Sequence, residues 1–235
     1  MRDFRRSRID MIRLHPEDMP ISMEYERKLV VHYLPEQTFG RVGSVDAALL
    51  TDARHRNTVI QHGPPTYASL GLSYRPNIDG YLIMNGRGED VLRFYVQVFS
   101  DGAIEFTDGA VFRISTDEPF IYHEMLEQTL FSQYHFARLV FSTLHVEGRV
   151  AIYPSALGVR DLTIKPQAPT RVLPFVGHST AIGRDPALFN PLLIDDIQSE
   201  EPQEALEPLI QQVWRACAYD HAYSYKGGEY VGAKW

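Results

Sequence analysis

Apolar and polar positions alternate most regularly between residues 80 and 106. Phe94, Val96 and Val98 fall on one side of an extended chain, and Arg93, Tyr95, Gln97 and Phe99 on the other. That two-residue period predicts strands in a half-covered sheet over 80–85 and 92–99, joined by Gly86-Arg87-Gly88 as a turn. Ser100-Asp101-Gly102 closes a hairpin into Ala103–Phe106, because Asp-Gly tolerates the positive φ such turns need. Lys28 to Leu34 is another β-rich run, stopped by Pro35, and shorter runs at Arg149–Tyr153 and Leu192–Ile194 read as strands.

Helical spacing takes over elsewhere. Thr116-Asp117-Glu118-Pro119 is a helix start, and the helix it opens is expected to run from about Pro119 to Ser142. Tyr122, Leu126, Leu130, Ala137, Phe141 and Leu144 give it one apolar face to lay on the sheet. Leu206, Leu209, Ile210, Val213 and Trp214 mark a C-terminal helix, and Ser44 to Leu50 a short one. Arg75-Pro76-Asn77 and the prolines between 154 and 187 read as loop. The expected fold is α+β: a mainly antiparallel sheet, one long helix packed across it, and a C-terminal helix. Residues 1–20 are expected to be a basic N-terminal arm or linker helix. Residues 21–235 are expected to form a single domain with a long loop excursion at about 35–78.

Composition narrows the class. With 235 residues, 44% of them hydrophobic, the chain can bury a substantial core and is not a disordered sequence. A net charge of −7 argues against a dedicated nucleic-acid coat. The single cysteine, Cys217, permits no intrachain disulfide or thiolate metal site and reads as a small core residue. No long apolar run is free of charge, and no apolar stretch follows the basic N-terminus, so a cytoplasmic protein without a membrane span is expected.

Candidate chemistry is sparse. Neither a phosphate-binding loop, nor a dinucleotide fingerprint, nor a Gly-x-Ser-x-Gly elbow occurs. His123 and Glu127 are one helical turn apart and are weak candidates for a metal site, although such pairs are more often solvated ion pairs. Asp79, Glu89, Asp101, Glu105 and Asp108 crowd the meander, where a metal-dependent hydrolase or nuclease would gather carboxylates, but hairpin turns attract Asp for conformational reasons. Gly177-His178-Ser179-Thr180 reads as a turn. Residues 1–14 carry five arginines and two aspartates. Arg2, Arg5, Arg6, Arg8 and Arg13, with Arg54, His55 and Arg56 in the long loop, are the candidate phosphate contacts for weak, salt-sensitive nucleic-acid binding.

Several segments, in order, resemble one arrangement. Phe4-Arg5-Arg6-Ser7-Arg8-Ile9-Asp10-Met11-Ile12 is similar to the arginine-rich helix that follows the Schlafen-type AlbA-like domain of bacterial proteins. Leu29-Val30-Val31-His32-Tyr33-Leu34-Pro35, Arg75-Pro76-Asn77-Ile78-Asp79-Gly80-Tyr81, and Tyr95–Phe99 with Asp101-Gly102 resemble successive motifs of their C-terminal region. Val213-Trp214-Arg215-Ala216, Tyr225, Gly228 and Glu229 resemble its terminus. The AlbA-like domain itself is not part of this sequence, so no nucleic-acid-contact residue carries over. The resemblance implies an accessory region without assigned catalytic residues. The expected function is a non-catalytic binding or sensor module, needing no cofactor and acting with a nucleic-acid-associated protein partner. Direct nucleic-acid binding through the arginine arm and a metal-dependent hydrolase are the alternatives.

Overall fold

The β-rich run that ends at Pro35 becomes an interior strand of the sheet. In the computed structural model, which describes residues 1–21, 23, 25–41, 43, 45–46, 49–50, 72–85, 93–112, 120–165 and 180–232, β1 spans Lys28–Pro35 and is buried along nearly its whole length. The meander follows as β2 (Leu72–Asn77), β3 (Gly80–Asn85), β4 (Phe94–Phe99) and β5 (Ile104–Asp108). β6 (Phe120–Tyr122) runs directly into α2 (His123–Thr143), and β7 is Val150–Leu157. β8 (Thr163–Lys165), β9 (Ala187–Leu188) and β10 (Leu192–Ile194) come next. Two helices, α3 (Pro202–Ala205) and α4 (Glu207–Ala216), precede a small hairpin of β11 (Tyr225–Lys226) and β12 (Glu229–Tyr230).

Among the described residues, one antiparallel sheet has the order β10-β7-β1-β5-β4-β3-β2, with β9 also on β7. The α+β architecture expected from the sequence is present: the mainly antiparallel sheet, one long helix packed on it and a C-terminal helix. Cross-strand register sorts its side chains. Leu29, Val31 and Tyr33 share a face with Ile104 and Phe106, Phe94, Val96 and Val98, Tyr81 and Ile83, and Val150 and Ile152. This inner face packs with Leu130, Tyr134, Ala137 and Phe141 of α2 and with Leu209, Val213 and Trp214 of α4 in one core. Each fully buried valine, leucine, isoleucine or phenylalanine among them contributes roughly 1.5–3 kcal/mol.

The sheet is covered on both faces, not one. Tyr95 and Gln97, on the opposite side of β4 from the core, are 1% and 0% exposed. The cover is the N-terminal segment. Helix α1 (Arg2–Leu14) turns Arg5, Arg8, Ile9 and Ile12 inward. Ile9 and Ile12 pack on Val30 and Leu157, and the chain after it lays Met19, Ile21 and Met23 on Leu82 and Tyr95. Residues 1–20 are therefore a layer of the domain and not a projecting arm.

Other expectations shift locally. The long helix begins at His123, not Pro119, because Phe120-Ile121-Tyr122 pairs in parallel with β8 as a strand, which two aromatics and an isoleucine favour. Its expected cap at Thr116 lies outside the described residues, as do Ser44, Gly86–Gly88 and Gly177–Ser179. Arg75-Pro76-Asn77 is strand, not loop. Pro76 is tolerated because β2 is the last strand of the sheet, where its missing N–H leaves no ladder bond unmade. Likewise Pro154 lies within β7, which continues to Leu157 instead of yielding to a surface connection. Among the described residues, no helix is long and apolar enough to cross a membrane.

Candidate functional site

The outer face of the sheet carries a polar row where a covered face would ordinarily be apolar. Register places Tyr153 of β7, His32 of β1, Glu105 of β5 and Gln97 of β4 side by side. Glu105 is fully buried, and both of its oxygens are used twice. Oε1 accepts from Arg8 Nη2 at 2.7 Å and from the Tyr95 hydroxyl at 2.8 Å. Oε2 accepts from Arg8 Nε at 2.8 Å and from His32 Nε2 at 2.9 Å. Burial alone would raise this carboxyl's pKa, but the bonds from Arg8 and His32 outweigh it and hold it at about 2. Burial opposes the charge of Arg8 too, and Glu105 more than offsets it, so the guanidinium's pKa is raised. The Arg8 guanidinium also lies over the Phe99 ring, 5.3 Å from its centroid. His32 is fully buried beneath the edge-on ring of Phe4. Its Nδ1 finds no hydrogen-bond partner among the described residues.

Arg5 anchors the same helix one turn earlier. Its Nε donates to Ser155 Oγ at 2.9 Å and Nη1 to the Phe189 carbonyl at 2.9 Å, while Nη2 donates to the Pro154 carbonyl. Burial lowers its pKa to about 10, partly countered by Tyr153. Arg5 and Arg8 are thus spent inside the protein and do not face a nucleic acid. Arg2, Arg6 and Arg13 remain exposed, on one helical stripe but with exposed Asp3 and Asp10 beside them. Arg54, His55 and Arg56 lie outside the described residues.

His123 and Glu127 are not a solvated pair. They are 7% and 0% exposed. Glu127 Oε1 accepts from Ser224 Oγ at 2.7 Å and Trp214 Nε1 at 3.2 Å, and Oε2 from the Tyr230 hydroxyl at 3.1 Å. Burial raises this carboxyl's pKa, with the three donors and His123 acting against it. The His123 ring meets Trp214 edge-on, centroids 5.3 Å apart. This carboxylate joins α2 to α4 and the C-terminal hairpin. Cys217 is a fully buried core residue, as its setting on the apolar helix predicts, and burial pushes its thiol up to about 11.

Among the described residues, the meander carboxylates do not converge on one point. Asp101 accepts the amides of Gly40 and Ala103, at 2.8 and 3.0 Å. Asp108 Oδ1 accepts those of Ala110 and Val111, at 2.7 and 3.2 Å. Burial lifts Asp108 to about 7 against those two amide bonds. Asp79 is exposed at a hairpin tip, and Glu89 lies outside the described residues. A group absent from the sequence reading is His15, Glu17 and Asp18, whose potential ligand atoms lie within 4.8 Å of one another on the exposed surface after α1.

The β2–β3 tip is built with unusual care. Asn77 Oδ1 accepts the Gly80 amide at 2.9 Å, and Asn77 Nδ2 donates to Gln97 Oε1 at 2.6 Å. The Ser100 amide donates to the Asp79 carbonyl at 2.9 Å, and Arg75 donates to the Pro20 carbonyl at 3.1 Å. Gly80 has φ +146°, and a Cβ there would stand 2.3 Å from the Val98 oxygen. At the apex of this braced turn Ile78 is 100% exposed.

Comparison with protein-family models, with curated proteins and with solved structures gives no match.

Proposed function

We propose that the chain is a non-catalytic binding module that acts with a nucleic-acid-associated partner protein. The observation that carries this reading is Ile78. An apolar, β-branched side chain has no conformational preference for a turn apex, and full exposure gives it no share in folding. Yet hydrogen bonds from Arg75 and between Asn77, Gly80 and Gln97 brace the turn that presents it to water. Single exposed apolar residues are common on protein surfaces; what supports contact with another macromolecule here is the full exposure of an isoleucine at a hydrogen-bonded hairpin tip. The buried carboxylates Glu105 and Glu127 support the same reading, since all four of their oxygens accept hydrogen bonds from within the chain. The nature of the partner rests on the resemblance to the accessory region of Schlafen-type AlbA-like proteins.

The test is co-purification of the tagged full chain from its source cells, with and without nuclease. A stoichiometric protein that survives nuclease and is lost with Ile78→Asp is the expected result. Associates that all vanish with nuclease would overturn the reading in favour of contacts through Arg2, Arg6 and Arg13. A partner retained in full by Ile78→Asp would remove the hairpin tip from it.

A further inference from the structure

We propose that His15, Glu17 and Asp18 form a binding site, at the carboxyl end of α1, for a divalent metal ion that accepts nitrogen ligands, such as Zn²⁺. The site lies on a different surface from Ile78 and stands without that reading.

Two independent features coincide there. The first is donor geometry. One potential ligand atom from each of the three side chains lies within 4.8 Å of the others. His15 Nδ1 stands 3.5 Å from Glu17 Oε1, longer than a normal hydrogen bond. That spacing is close to the ~3.4 Å between two ligands of a tetrahedral ion with bonds of about 2.1 Å. The second feature is shape. His15 and Asp18 also form part of the wall of an open surface cleft of about 460 Å³, opposite Asp3 and Asp10 of α1. Arg6 is the cation on that wall and is outnumbered by the three aspartates. A concave place with convergent polar groups is the usual setting of a small ligand.

The local sequence explains why the donors gather. Helix α1 ends at Leu14, and the next four residues are His15-Pro16-Glu17-Asp18. Pro16 has no N–H to offer the Ile12 carbonyl, so the helix stops. A single 3-10 turn over Pro16–Asp18 folds the chain back, with the Asp18 amide donating to the His15 carbonyl at 3.0 Å. Both carboxylates thereby come round to the imidazole. The carbonyl end of a helix carries partial negative charge, which favours a cation at this place.

The donor set selects the ion. One imidazole nitrogen with two carboxylate oxygens suits Zn²⁺, Co²⁺ or Ni²⁺, whereas Mg²⁺ and Ca²⁺ take oxygen ligands. Three side chains leave a fourth tetrahedral position open, where water or a donor atom from outside the chain completes the set.

Equilibrium dialysis of the full-length protein against Zn²⁺, with Mg²⁺ and Ca²⁺ in excess, tests this. One equivalent of Zn²⁺ is expected to bind and to survive the competitors. His15→Ala is expected to abolish that uptake. Glu17→Gln and Asp18→Asn are each expected to weaken it by ~10-fold or more, at least the loss that outer-shell substitutions produce. All three side chains are exposed, so the variants are expected to melt with wild type, which separates loss of a ligand from loss of the fold. With Co²⁺ in place of Zn²⁺, paramagnetic broadening of amide signals is expected to centre on residues 15–18. No uptake of Zn²⁺, uptake unchanged in His15→Ala, displacement by Ca²⁺, or broadening centred elsewhere would each overturn the proposal.

Discussion

Arg8 and Glu105 stand 97 residues apart in the chain and meet as a two-bonded ion pair under α1, at 2.8 and 2.7 Å. Desolvating both groups makes the pair a poor source of net stability but a costly one to halve. Arg8→Ala leaves an ionised carboxylate buried with only His32 and Tyr95, and is expected to cost roughly 3–5 kcal/mol. Arg8→Met/Glu105→Leu together is expected to cost less than the sum of the single changes. Urea denaturation of the four proteins in a double-mutant cycle reads this directly. Additive losses would mean that the two residues act separately.

The pH dependence of stability has two opposed contributions from this region. Glu105, depressed from 4.5 to about 2, contributes stability that is complete above 4.5 and lost as pH falls towards 2. Asp108, raised from 3.8 to about 7, acts in the other sense: its contribution is complete below 3.8 and lost as pH rises through about 7. Between pH 4.5 and 7 Asp108 therefore makes stability fall with rising pH, by up to ~1.4 kcal/mol per unit. Asp108→Asn keeps an oxygen for the Ala110 and Val111 amides and removes the charge. It is expected to flatten that slope in denaturation midpoints taken across the range. A slope unchanged by the substitution would place its origin elsewhere.

Most of the sheet could be read from the sequence because alternation, Asp-Gly and a proline stop are local signals. The strands at Lys28, Gly80 and Leu192 and the hairpin at Asp101 are of this kind. What escaped was long-range. The tyrosine, glutamine and glutamate on the second face of β4 and β5 look solvent-facing until a helix from residues 2–14 is laid over them. No local pattern predicts that Arg5 and Arg8 turn inward while Arg6 turns out. One signal was available: His32 interrupts the apolar run Leu29–Leu34 at a position whose strand neighbours are all core residues. The pair His123 and Glu127 misled for a related reason. Helical spacing places them together, but whether water or Trp214, Ser224 and Tyr230 surrounds them depends on a segment ninety residues later.

That second cluster makes its own prediction. Glu127→Ala would leave the Trp214, Ser224 and Tyr230 donors unpaired at a buried position, at about 1–3 kcal/mol for each donor that water cannot reach. Glu127→Gln retains an oxygen for Ser224 and Trp214, and its amide can donate to the Tyr230 hydroxyl. Because burial already disfavours the charged carboxylate, the glutamine variant is expected to match or exceed wild-type stability at neutral pH. Thermal unfolding followed by tryptophan fluorescence separates the two. Equal losses for alanine and glutamine would show that the negative charge itself is required.

On the proposed reading, the hairpin tip separates folding from recognition within three residues. Gly80→Ala forces a side chain into the Val98 carbonyl at a φ of +146°. It is expected to cost ~1–3 kcal/mol as strain or as a distorted turn. Ile78→Asp touches nothing within the fold, since the side chain is entirely exposed, so its melting temperature is expected to match wild type. If the tip exists to present Ile78, the aspartate variant keeps its stability and loses its partner, whereas the alanine variant loses both. A stability loss in Ile78→Asp comparable to that of Gly80→Ala would show that the isoleucine is held by the fold, and the argument for contact at this residue would fail.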